Sequence, residues 1–506
     1  MTIHWTAIAR TLGGLLLFVG AALLAPAGIA LGYGETVWWS FGLTALGALS
    51  VGGALWFGLG GRAPQDQDVG IREGFVIVAL SWVVLSLVGA LPFVMSGVLP
   101  TYTDAFFETM SGFTTTGATI FGGGGNMDIE AMPHAFLFWR SLTHWIGGMG
   151  IILLTLAILP ILGVGGFQLY RAEVPGPSAD KLTPRVRETA RRLWLVYVGI
   201  TAVQVVLLLP AMSSFDAVNH AFATMATGGF STKNGSVADF DSAYVDSVIT
   251  LFMILAGMNF ALHFRMLRGQ ALSVWRDTEL RAYLGIIVAA TGLLVVSTWT
   301  VSGAMLPTAP EALTSFAGYD SLGEALRYGV FQAVAIITST GFGTADYEMW
   351  PPLAVGVIFL LFFCGGMAGS TGGGVKVMRH VVLAKNALNE FKQLVHPRAV
   401  LRTHLNGQPV APAVMRNVLL FVMLYILLLF LGTLALAALG QDIWTALGAA
   451  MSCVGNIGPG WGTVGPTENY AHLPALSKWI LSFLMMAGRL EIITVLIVFT
   501  PAFWRR

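Results

Sequence analysis

Four short stretches rich in glycine and small polar side chains recur along this chain: Thr114-Thr115-Thr116-Gly117, Ala226-Thr227-Gly228-Gly229, Thr338-Ser339-Thr340-Gly341 and Gly455-Asn456-Ile457-Gly458. Their last glycines stand 112, 112 and 117 residues apart, a near-constant period for a chain with variable loops. None of the four holds a charged side chain. What they offer is neutral oxygen, from main-chain carbonyls and hydroxyls, which can replace the water shell of a hard monovalent cation. Without Arg or Lys they do not suit an anion. Glycine accepts backbone angles closed to other residues and leaves room for several strands to converge. Glycine and threonine also pack helices together; one such segment would mean no more than that, but four in phase point to a shared site.

The elements that must position these segments repeat as well. Twelve residues before each glycine stand Ala105, Ala217, Gly329 and Ala446; six before, Ser111, Ala223, Ala335 and Ser452; seven before, Met110, Phe222, Val334 and Met451. This predicts a short helix with one small and one apolar face, N-capped at Asp104, Asp216, Asp320 or Ser321, and Asp442. About three turns is too short to cross a bilayer and suits a re-entrant helix. Irregular backbone at membrane depth is tolerated where it is buried in protein or lines a water-filled cavity. The C-terminal ends of such helices carry partial negative charge, which favours a cation.

The rest of the chain supplies a membrane frame. Of 506 residues, 56% are hydrophobic and 10% charged, against about 25% charged in soluble domains. Apolar runs recur at roughly 11–31, 38–60, 75–99, 136–165, 193–212, 244–264, 282–305, 352–375, 415–440 and 476–500, each near the length of a spanning helix. The expected fold class is an all-α polytopic membrane protein: four pseudo-symmetric repeats of helix, pore helix, loop and helix around a central pore, plus two extra N-terminal transmembrane helices. The boundaries fall at 1–70 for the N-terminal pair, then 71–170, 171–280, 281–405 and 406–506 for the repeats. The first apolar run exceeds the core of a cleavable signal and is expected to remain as a helix. Basic residues gather at Arg171, Lys181, Arg185, Arg187, Arg191 and Arg192, at Arg265, Arg268, Arg276 and Arg281, at Lys376, Arg379, Lys385, Lys392, Arg398 and Arg402, and at Arg505 and Arg506. These positions belong in the cytoplasm, as do both termini once ten spans are counted. The apolar composition implies membrane lipid as surroundings, and a net charge of +1 implies no nucleic acid as partner. Cys364 and Cys453 have no metal-ligand or disulfide spacing and receive no role. Trp38, Trp39 and Trp350 are expected at the membrane interface.

With its motifs Phe113-Thr114-Thr115-Thr116-Gly117-Ala118-Thr119, Ala226-Thr227-Gly228-Gly229-Phe230-Ser231, Thr338-Ser339-Thr340-Gly341-Phe342-Gly343 and Gly488-Arg489-Leu490-Glu491, the whole chain resembles the Trk/Ktr/HKT superfamily of potassium transporters, in particular the bacterial Trk-type membrane subunit. The resemblance implies that ion-binding carbonyls come from the two residues before each filter glycine, here Thr115 and Thr116, Thr227 and Gly228, Ser339 and Thr340, and Asn456 and Ile457, with Gly117, Gly229, Gly341 and Gly458 as the filter glycines. Relatives that prefer sodium carry serine at the first of these, so Gly117 argues for potassium. A bound potassium ion, and no covalent cofactor, is expected. The resemblance also implies a homodimer in the bacterial cytoplasmic (inner) membrane, and a cytosolic ring of NAD- or ATP-responsive nucleotide-binding regulatory subunits.

The run at 352–375 breaks into Gly365-Gly366-Met367-Ala368-Gly369-Ser370-Thr371-Gly372-Gly373-Gly374, which cannot hold a helix at about 1 kcal/mol lost per glycine. No Gly-Lys-Ser/Thr follows, so it is not a phosphate-binding loop. In the family the corresponding loop obstructs the pore, which assigns Gly365, Gly366, Gly369, Ser370, Thr371, Gly372, Gly373 and Gly374 to a gate. Arg489, an ionisable residue inside the last apolar run, either pairs with an acid such as Glu491 or, as in the family, faces the pore and meets that loop. Lys376 is expected to snorkel to the cytoplasmic interface, and Arg140 and His144 receive no role. The function expected is potassium uptake through a gated channel-like pore. The alternative is a symporter coupled to protons or sodium, which usually needs a carboxylate in the pathway; none lies in the four segments. Paired carboxylates, nucleophile arrangements and His-x-x-x-His motifs are absent from the spans, so no enzyme is expected.

Overall fold

The structure, a computed structural model, describes residues 3–58, 70–122, 128–162, 182–299, 316 and 318–505. Arg171, Lys181, Arg506 and the boundary expected at 170 lie outside the described residues. Among the described residues six helices are long and apolar enough to cross a membrane: Trp5–Gly32, Trp38–Gly58, Arg72–Met95, Glu188–Leu208, Thr278–Trp299 and Pro412–Ala438. A seventh long helix runs over His134–Leu162. Many of their large apolar side chains, such as Phe57, Val206, Val288 and Leu434, are exposed to the surroundings, as befits a lipid-facing surface.

Two runs expected as single spans are bent. Ala243–Ala256 turns by 100° into Phe260–Leu267, and Ala475–Arg489 turns by 117° into Ile492–Phe499. The first break is fixed by Asn259, whose side chain caps the second segment by accepting from Ala261 N at 2.9 Å. At the second, Glu491 takes a φ of +61°, which an α-helix cannot continue. The run at 352–375 is interrupted as expected: Pro352–Leu361 is helical, the glycine-rich stretch is not, and a polar helix resumes over Val377–Val395. All three breaks meet in space, because Met367 N donates to Gly257 O at 2.8 Å and Arg489 reaches the same stretch.

Inside the ring of long helices stand four short ones: Tyr102–Phe113, Ser214–Met225, Leu322–Ile337 and Ile443–Gly455. Their caps are Thr101, Ser213, Ser321 and Asp442, each accepting from main-chain N–H groups of the first turn. Asp104 and Asp216 are therefore not the caps; they lie three residues further in and accept from the cap hydroxyls at 2.7 Å each. The hydroxyl is short enough to reach the third N–H while the carboxylate behind it complements the helix dipole. Such a cap contributes about 1 kcal/mol. Lys478 from the last repeat pairs with Asp104 of the first, joining the ends of the ring. Trp38 and Trp39 are exposed, but Trp350 is buried and donates to the Tyr319 hydroxyl at 3.3 Å, so it is a packing residue and not an interfacial anchor.

Candidate functional site

Each short helix ends in the same way. Thr115, Thr227, Ser339 and Asn456 take left-handed φ values of +50°, +55°, +55° and +52°. The N–H of the next residue then returns to the carbonyl five back: Thr116 to Ser111 at 2.9 Å, Gly228 to Ala223 at 2.8 Å, Thr340 to Ala335 at 2.8 Å and Ile457 to Ser452 at 3.0 Å. The small residues seen six before each glycine are thus the acceptors on which the chain folds back. This helix ending normally uses glycine at its left-handed position, and an L side chain there costs on the order of 1–2 kcal/mol. Strain accepted four times in register points to a use for the oxygens those side chains carry.

Beyond this turn comes the glycine, with φ of +82°, +81°, +71° and +105° at Gly117, Gly229, Gly341 and Gly458. A Cβ on Gly117 would stand 2.0 Å from Gly228 O, one on Gly229 2.0 Å from Thr340 O, one on Gly341 1.8 Å from Ile457 O, and one on Gly458 2.8 Å from Thr116 O. Each glycine therefore abuts the carbonyl just before the next repeat's glycine, and the succession from first to fourth returns to the first. The loops close into a ring through Thr116, Gly117, Gly228, Gly229, Thr340, Gly341, Ile457 and Gly458. On one side all four glycines line a single cavity with Lys233, Glu468 and Tyr470. At its rim the Asn234 amide holds the Asp128 carboxyl below its usual range, and burial lifts that of Glu348 against a bond from Gly462 N–H.

On the other side lies the glycine-rich stretch, with Ser370, Thr371, Gly372 and Gly373 all buried. Gly365 and Gly366 form its stem, where Gly365 N meets Val375 O and Val377 N meets Gly366 O. Gly369 and Gly374 turn with positive φ. The Thr371 hydroxyl donates to Met225 O at 3.0 Å, at the end of the second short helix. Gly373 N donates to the Ser339 hydroxyl at 2.5 Å, and a Cβ on Gly373 would stand 2.5 Å from Gly455 O. The stretch thus touches the ends of three short helices, directly beneath the ring.

Arg489 donates from Nη1 to Thr371 O at 2.6 Å. Its pairing with Glu491 does not occur: Glu491 pairs with Arg379, whose guanidinium also lies 3.6 Å over the Phe421 ring. The positive φ of Glu491 turns its side chain toward Arg379. Lys376 does not snorkel outward either; from the foot of the loop its ammonium donates to Gly372 O and, at 3.4 Å, to the Ser370 hydroxyl. Glu279 accepts from Ala368 N at 2.7 Å and Met378 N at 3.1 Å, tying both limbs of the stretch to one carboxylate. Arg140 forms a buried ion pair with Glu108 at 2.8 Å. Glu108 and Glu279 were not singled out from sequence, although acids inside or beside apolar runs are a recognisable signal.

The TrkH family, described as cation transport protein, matches residues 43–506. The chain is 41% identical to the Trk system potassium uptake protein TrkH of Salmonella typhimurium, over 99% of this chain and 100% of the relative. It is 35% identical to the Trk system potassium uptake protein TrkG of Escherichia coli, over 100% and 99% of the two chains. The crystal structure of the potassium transporter TrkH from Vibrio parahaemolyticus superposes with a TM-score of 0.87 at 35% identity, covering 99% of this chain and 100% of the other. With its ring of four loops set among membrane-spanning helices, the chain belongs to the TrkH family of cation transport proteins.

Proposed function

We propose that this protein takes up potassium across the bacterial cytoplasmic membrane through a gated, channel-like pore, with the four-loop ring as its selectivity filter. The observation that carries this reading is the closed succession of glycine against carbonyl around the four loops. The carbonyls of Thr115, Thr116, Thr227, Gly228, Ser339, Thr340, Asn456 and Ile457 bind the ion. Four short helices aim their negative ends at it. The stretch Gly365–Gly374 is the gate, and the Arg489 charge beneath it opposes a cation while the loop is in place. The names of the relatives, potassium uptake proteins of Trk systems, support the choice of ion. Both termini lie in the cytoplasm, a reading the basic loops support, and those loops suit docking of the expected nucleotide-binding subunit beneath a homodimer.

Coupled symport is the weaker reading: Glu108, a buried carboxylate beside the ring, is tied to Arg140, Thr119 and Ile120, the contacts of a structural ion pair. Purified protein in liposomes is expected to pass rubidium or potassium down an electrical gradient, to discriminate against sodium, and to move no protons. Equal rubidium and sodium flux would remove the filter assignment, and stoichiometric proton movement would establish symport instead.

A further inference from the structure

The position nine residues before each filter glycine holds Glu108, His220, Gln332 and Ala449. Three of these are polar and buried, and each reaches to the limb of its own loop that leaves the glycine toward the cavity. Glu108 accepts from the Thr119 hydroxyl at 2.9 Å and from Ile120 N at 3.0 Å. His220 Nε2 meets the Ser231 hydroxyl at 3.0 Å, and Gln332 Nε2 donates to Ala345 O at 3.2 Å. Ala449 can do neither. In its repeat the Gly458 carbonyl instead accepts from the Ser452 hydroxyl at 2.7 Å and the Tyr470 hydroxyl at 2.8 Å.

Glu108 differs from the other struts because, through Arg140, it is linked to a second loop. Its carboxylate, 1% exposed, meets Arg140 Nε at 2.8 Å, and Arg140 is itself 2% exposed. Arg140 then donates from Nη1 to Ser231 O of the second loop at 3.1 Å, and from Nη2 to the Thr119 hydroxyl of the first at 3.2 Å. Its guanidinium lies 4.2 Å over the ring of Phe230, the residue after Gly229. One buried ion pair therefore fastens the first and second loops together two residues beyond their glycines.

We propose that Glu108, acting through Arg140, is a positioning residue that sets the spacing of the first and second filter loops and so determines how strongly the pore prefers potassium to sodium. The inference rests on the pore reading above. A ring of carbonyls discriminates against the smaller ion to the extent that it resists closing around it. Charge-assisted hydrogen bonds are the strong ones, and a fully connected buried network stiffens what it holds. A buried ion pair is weak evidence for stability as such, since apolar side chains of similar volume fill a core as well. Its directional bonds to two filter loops are what apolar residues would not reproduce.

The test compares rubidium and sodium uptake by the full-length protein in proteoliposomes, for wild type, Glu108→Gln and Gln332→Leu. Glu108→Gln is expected to lower the rubidium-to-sodium ratio severalfold, chiefly by admitting sodium, and Gln332→Leu to lower it less. A folded Glu108→Gln protein with an unchanged ratio, including one in which both fluxes fall together, overturns the proposal. If Glu108→Gln does not fold, Thr119→Val removes a single hydroxyl from the same network and should lower the ratio in the same direction; an unchanged ratio there overturns the proposal equally. Wild type that passes no rubidium defeats the pore reading itself, and that result is seen before any variant is compared.

Discussion

The four glycine loops of the ring and the single stretch Gly365–Gly374 are both buried, non-helical backbone, yet they are held by different means. Each filter loop is fastened first to the helix it leaves, through N–H groups returning three and five residues back, and then to one neighbour. The glycine-rich stretch is shaped from outside, by Gly257 O, Met225 O, the Ser339 hydroxyl, the Glu279 carboxylate and the Arg489 guanidinium. Backbone shaped by its own sequence keeps its form when remote helices move, whereas backbone shaped by remote partners is released when one withdraws. The first property suits a filter and the second a gate, since switching segments are those whose order depends on a few contacts.

The sharpest way to break this contrast is at a filter glycine. Gly341→Ala would place its Cβ 1.8 Å from Ile457 O, in backbone that has no room to retreat. Rubidium uptake by this variant is expected to fall to background in protein that still elutes as wild type does. Gly458→Ala meets Thr116 O at 2.8 Å and should retain part of the flux. Equal losses in the two would mean that the ring is not packed as described.

A smaller effect, opposite in sign, is expected at the gate. Arg489→Met keeps the bulk but removes the donor to Thr371 O. A hydrogen bond from a charged group contributes about 1.5–3 kcal/mol, so its loss should raise basal uptake roughly tenfold or more. The rubidium-to-sodium ratio should stay at the wild-type value. Basal uptake that does not rise would detach Arg489 from gating and return it to a structural role.

The two regions were also unequally legible in the sequence. The ring was readable because a fourfold repeat prints itself four times: the glycines, and the small residues six before them, recur at matched places. The struts nine residues before the glycines were not, because Glu108, His220, Gln332 and Ala449 share a task and no chemistry. Nor does Arg140 announce its partner, which lies 32 residues away on another helix. The break at Gly365–Gly374 was visible as composition, since clustered glycines forbid a helix, but the partners of that stretch come from distant parts of the chain. The bends at Gly257 and Glu491 escaped notice because hydropathy is continuous across them. Misplaced caps had a simpler cause: Thr101 and Asp104 are both good capping residues, and only geometry tells which one lies outside the helix.

Ser339 is where the two regions touch, and it supports the finest prediction. Its hydroxyl donates to Thr338 O at 2.7 Å and accepts from Gly373 N at 2.5 Å, so one oxygen belongs to the third loop's turn and to the glycine-rich stretch at once. Ser339→Ala leaves the Thr340 carbonyl and the turn's main-chain bonds untouched but strips the gate of one acceptor. A neutral hydrogen bond contributes about 1 kcal/mol net, which corresponds to a rise in basal uptake of roughly fivefold, below that expected for Arg489→Met. Ser339→Thr keeps the hydroxyl, and the first two loops already carry threonine at the matching positions, Thr115 and Thr227, with the same left-handed φ. That variant should therefore match wild type. Uptake assays on the pair decide the point: if Ser339→Ala changes the ion ratio and not the basal rate, the hydroxyl serves the filter, and the gate is held without it.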